Sequence, residues 1–130
     1  MEPHLLERAR EALAGWQRGD VSALEPLLDP AVELLWWEPT EWDCHGREAV
    51  LAPLRDRARR GPGRARVELI EVGDDALVVG GTRGVREEPE MGAASRTLVV
   101  FRDGKVISMR QFRGRDEALD AARQRRGAEE

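Results

Sequence analysis

At 130 residues the chain fits one domain able to bury roughly two-thirds of its unfolded surface, so it needs no staple to hold a core. A net charge of -4 repels a phosphate backbone and removes the main driving force for general nucleic-acid binding. One cysteine, Cys44, and two histidines, His4 and His45, leave almost nothing from which to build a disulfide, zinc or redox framework, so no metal and no cofactor are expected.

The first ten residues carry Glu2, Glu7, Arg8 and Arg10 with no apolar run behind them, which predicts neither a signal peptide nor a membrane span. A soluble, cytoplasmic protein of one domain over residues 1–130 is the expectation. Leu5, Leu6, Ala9, Ala12, Leu13 and Trp16 recur at helical steps and predict a first helix ending at Gly19. Asp20 is placed to cap a short second helix over 21–28, which Asp29-Pro30 breaks. Val32, Leu34 and Trp36 alternate with Glu33, Leu35 and Trp37, as in a mostly buried strand. Residues 38–45 read as a loop, and a third helix starts near Gly46 and ends at Gly61-Pro62-Gly63.

Residues 66–72, 76–85, 96–102 and 105–113 are rich in β-branched side chains and separated by turn signals, and so predict four strands. Gly73-Asp74-Asp75 and Asp103-Gly104 predict tight hairpins, hence antiparallel neighbours. Ala118, Leu119 and Ala122 mark one side of a terminal helix, or a partly ordered tail, within 115–130. Two arginine-rich stretches, Arg55 to Arg66 and Arg123 to Arg126, read as a solvated helix face and a frayed tail, since no aromatics interleave them. Helices first and a strand meander afterwards is the α+β pattern, a curved, mostly antiparallel sheet with helices packed on it. Such a sheet curls into a conical barrel around one pocket, the default ligand site.

Gly19-Asp20 with Ala23-Leu24, Leu27-Leu28 and Asp29, then His45-Gly46-Arg47-Glu48-Ala49-Val50, then FRDGKVISMRQF over 101–112 together resemble the nuclear transport factor 2-like superfamily, cystatin-like in fold. The SnoaL-like and ketosteroid isomerase branch is the most similar. The likeness spans Leu5 to Leu119 and rests on the order of elements. It implies a conical α+β barrel that often dimerises through its outer sheet face and hosts isomerases, cyclases, hydrolases and non-catalytic binders, so fold alone assigns no activity. Laid side by side, the isomerase's general base falls on Trp36 and its two oxyanion donors on Ala12 and Thr97, so all three roles are vacant. The similar limonene epoxide hydrolase uses two acids and an arginine, and Gln111 stands where one acid would be.

Strand alternation points Trp16, Leu34, Trp36, Leu77, Val79, Thr97, Val99, Phe101 and Met109 into the cone, as packing or as walls for a ring-containing ligand. Arg83, Gln111 and Arg113 share that parity, and each guanidinium there needs an internal carboxylate or a ligand anion. Glu38, Trp42 and His45 fall at the pocket mouth, whereas Cys44 beside His45 lacks the third group of a nucleophilic site. The preferred expectation is a small-molecule protein that binds a hydrophobic or aromatic ligand with a polar or anionic end and has no nucleic-acid or membrane partner. The alternative is a non-catalytic module with a filled cone. In both, outward Leu35, Trp37, Val78, Leu98, Val100 and Phe112 predict an apolar face suited to a homodimer.

Overall fold

The computed structural model describes residues 1–59, 67–81 and 96–129. Helix α1 (Pro3–Gln17) begins where the Glu2 carboxylate accepts the His4 and Leu5 amides, both at 3.0 Å, with Pro3 in the first turn. It ends at Gly19, whose φ of 90° lets the Asp20 amide return to the Gly15 carbonyl at 2.8 Å. The second helix expected over 21–28 is a turn followed by a 3-10 segment of three residues, Glu25–Leu27. Asp20 turns its carboxylate back on Ser22, accepting both its amide and its hydroxyl, and Leu28 already belongs to a strand.

Strand β1 (Leu28–Leu35) therefore starts four residues earlier than alternation indicated. Asp29-Pro30 sits in its register shift: proline has no amide to give the ladder, and the Asp29 carboxylate takes the Ala31 amide at 2.8 Å. After β2 (Cys44–His45) and α2 (Arg47–Arg59) come β3 (Val67–Val72), β4 (Ala76–Gly81), β5 (Arg96–Arg102) and β6 (Lys105–Phe112), and then α3 (Arg115–Glu129). The strands form one curved sheet in the order β2-β1-β6-β5-β4-β3, antiparallel except for β1 beside β6. The Asp103-Gly104 hairpin has positive φ at both residues (53° and 77°), as a two-residue turn between twisted strands requires.

Both faces of the sheet are covered. On the inner face α1 and α2 bring Ala9, Ala12, Val50 and Leu51 against Val32, Leu77, Phe101 and Val106. On the outer face α3 lays Ala118, Leu119 and Ala122 over Val78, Leu98, Val100 and Phe112. This overturns the expectation of an open apolar interface: Val78 is 0%, Leu98 and Val100 5% and Phe112 8% exposed, under a helix of the same chain. Arg125, expected in a frayed tail, anchors that helix by holding both oxygens of Asp75 at 2.6 and 3.4 Å. Among the described residues no helix is long and apolar enough to cross a membrane.

Candidate functional site

Strand register lays the inner face out in transverse rows. Leu69, Val79, Thr97 and Gln111 are successive partners across β3, β4, β5 and β6. Leu34 and Leu35 of β1 pair with Met109 and Arg110, where that pairing ends; Trp36 follows the last residue of β1, and its ring stands edge-on to that of Trp37 with centroids 5.7 Å apart. The next row inward is Leu77, Val99, Met109 and Leu34, and beyond it Phe101 faces Val106. Exposure falls along this series. In the first row all but Gln111 keep part of their surface accessible, whereas Leu34, Leu77, Phe101, Val106 and Met109 are buried. The inner face is thus packed at its deep end and more open at the row of Leu69, Val79, Thr97 and Gln111, where all but Gln111 keep part of their surface accessible. Leu34, Leu77, Phe101 and Met109 act as core there, while Val79, Thr97 and Val99 border the more open part.

The open row holds the polar groups. Gln111 is the buried polar residue of the described structure, and the Thr97 hydroxyl donates to its Oε1 at 3.3 Å. The Trp36 indole Nε1 is buried and has no hydrogen-bond partner among the described residues. Trp37 Nε1 shares that condition; its ring packs on the outer cluster and touches the Trp36 ring edge-on at 5.7 Å between centroids, and nothing in the structure explains its unpartnered N–H. Ala12, where the isomerase carries an oxyanion donor, is 1% exposed inside the core. None of the described residues in the open row is ionisable, so proton abstraction next to a carbonyl has no base in it. Glu71, at the β3 edge opposite Leu77, is 3.3 Å from the Met1 amino group.

Several expected site residues lie elsewhere. Trp16 clamps the helices together, its indole donating to the Leu54 carbonyl at 2.9 Å. Arg113 is exposed with its guanidinium 4.8 Å from the Trp37 ring, because β6 ends at Phe112 and the chain bends toward α3, so alternation no longer governs it. Arg83 lies outside the described residues. His45 pairs with Glu33, its Nδ1 2.6 Å from Oε2; both alternate with inward Cys44 and Leu34 and face away from the hollow. There His45 borders a groove of about 340 Å³ with Pro30, Gly46, Arg47, Glu48 and Ala49. Glu38 and Trp42 are exposed on the loop after β1.

That loop has an organiser which the sequence reading passed over. The Asp43 carboxylate accepts the Trp36 amide at 3.1 Å, the Thr40 hydroxyl at 3.3 Å and the Thr40 amide at 3.4 Å. Threonine three residues before aspartate was the available signal. The Cys44 thiol donates to the Trp42 carbonyl at 3.4 Å, and burial, with the Asp43 carboxylate nearby, pushes its pKa up. Because the thiolate is the reactive form, Cys44 should alkylate with iodoacetamide at pH 8 about tenfold more slowly than an exposed thiol. Its rate should still climb above pH 9, as intact-mass time courses will register.

No protein-family model and no curated protein matches the sequence. Solved structures do. Bal32a from a soil-derived mobile gene cassette is 20% identical over 90% of this chain and 94% of its own, with a TM-score of 0.59. An NTF2-like protein of unknown function from Burkholderia pseudomallei is 20% identical over 89% and 95%, TM-score 0.58. A protein described as a SnoaL-like polyketide cyclase from a Jannaschia species is 18% identical over 86% of both chains, TM-score 0.57. With helices on the concave side of a curved sheet and this strand order, the chain has the nuclear transport factor 2-like fold.

Proposed function

We propose that this protein binds a small, hydrophobic, ring-containing molecule in the open part of the cone, and that an acceptor oxygen of the ligand takes the Trp36 indole N–H. The observation that carries this reading is the buried Trp36 donor, one residue past the end of β1, which has no hydrogen-bond partner among the described residues. A buried donor left without a partner costs about 1–3 kcal/mol, a cost that a ligand oxygen removes. Half-buried Val79 and Val99 supply apolar walls. Gln111 keeps donor capacity beyond its contact with Thr97, enough for a second polar group. Binding without proton transfer is favoured over isomerisation, because the row lacks a carboxylate. An anionic end on the ligand loses its support with Arg113 stacked on Trp37 instead. A cytoplasmic setting, where the lone thiol stays reduced, belongs to the same proposal.

The test compares 2-acetylnaphthalene with 2-ethylnaphthalene, which share a ring system and differ in the acceptor oxygen. By tryptophan quenching the ketone should bind about threefold to tenfold more tightly, and Trp36→Phe, which keeps the ring and removes the N–H, should erase that preference. Absence of binding by both compounds, or a preference that survives Trp36→Phe, refutes the reading.

A further inference from the structure

Gln111 keeps only 5% of its surface exposed, yet half of its amide is unused. Its Oε1 takes the Thr97 hydroxyl at 3.3 Å across the β5–β6 pair, while its Nε2, with two N–H donors, has no hydrogen-bond partner among the described residues. Register puts the side chain on the inner face: it follows Met109 of the inner cluster by two residues and shares a row with Leu69, Val79 and Thr97. The two arms of a planar amide diverge, so an Oε1 turned to β5 leaves Nε2 turned away from it. On that other flank Gln111 has no ladder neighbour, because the β1–β6 pairing ends at Leu35 and Arg110. Beside Leu69 and Val79 an unpaired amide donor is costly, and a ligand acceptor relieves the cost.

We infer that Gln111 is a specificity-determining donor of the site: its Nε2 donates to a second acceptor oxygen of the ligand, and so selects ring compounds that carry two separated acceptor groups. Thr97 is the positioning residue. By holding Oε1 it fixes the amide in the sense that presents N–H groups, and a donor on the ligand meets no acceptor there. The inference rests on the proposed use of the cone as a ligand site and adds the chemistry of the ligand's second polar group.

Equilibrium dialysis of the full chain compares 2-acetylnaphthalene with 2,6- and 2,7-diacetylnaphthalene and with 2-acetyl-6-aminonaphthalene, whose neutral arylamine donates a hydrogen bond and accepts poorly. At least one diketone should bind about fivefold to tenfold more tightly than the monoketone, the gain from one well-placed hydrogen bond. Gln111→Met, close in size but without the amide, should abolish that gain and leave the monoketone within about twofold. The aminoketone should bind no more tightly than the monoketone in the wild type, and about threefold more tightly in Thr97→Val, where the released amide can turn its Oε1 outward. In the wild type the Gln111 side-chain amide resonances should move downfield with the diketone and not with 2-ethylnaphthalene, a readout that needs no substitution. A diketone gain that survives Gln111→Met, or an aminoketone that gains as much as the diketone in the wild type, overturns the inference. Unchanged discrimination in Thr97→Val overturns the role of Thr97. If 2-acetylnaphthalene outbinds 2-ethylnaphthalene but neither diketone gains, the cone reading stands and Gln111 is discarded. A wild type that binds none of these compounds removes the ligand site and the inference with it.

Discussion

Replacing Phe101 with alanine should destabilise the protein by about 3–5 kcal/mol, the range for emptying a large ring from a packed core. Phe101 is 4% exposed at the deep end of the cone, facing Val106 and sharing a cluster with Leu28, Val32 and Leu51. These neighbours are pinned on three elements, β1, α2 and β6, and cannot collapse into the gap. Val99→Ala, two residues earlier on the same strand and face, should cost only about 1 kcal/mol, because its side chain borders the open part and fewer dispersion contacts are lost. Urea unfolding of both variants measures the contrast. Equal losses would mean that the inner face is packed uniformly and holds no ligand space.

Ala118→Asp should be comparably severe, at about 3 kcal/mol or more, because it forces a carboxylate into a position with no partner against the sheet. Ala118 is 0% exposed where α3 meets the outer face. The protein can relieve the charge only by lifting the helix, and lifting it uncovers Val78, Leu98, Val100 and Phe112 together. The variant should therefore lose stability in urea and also self-associate in sedimentation velocity at micromolar concentration, while the wild type sediments as a monomer. Asp120→Ala, exposed on the same helix and paired there with Arg123 at 3.6 Å, should change stability by less than about 0.5 kcal/mol. A wild type that dimerises despite its covered face would place the interface elsewhere on the surface.

The residues explain which features could be read in advance. β3 to β6 and their hairpins were legible because β-branched runs and Gly/Asp turns act through nearest neighbours. The α1 stop at Gly19 was legible for the same reason, since a left-handed residue ends a helix whatever surrounds it. Residues 21–28 misled because Asp20 is as good an Asx-turn former as an N-cap, and β6 recruits Leu28 into the sheet only once the chain has folded. Arg113 misled because parity was carried one residue past the end of its strand.

The sequence by itself determined the fold class, the order of elements and which side chains share a face of each strand, because periodicity and turn chemistry are local. Only the tertiary structure decided that α3 covers the outer face, that burial on the inner face deepens from one end to the other, and that the buried Trp36 donor has no partner among the described residues. Whether a surface is covered, or a donor satisfied, depends on which distant segment of chain arrives there, and no spacing along the sequence encodes that meeting.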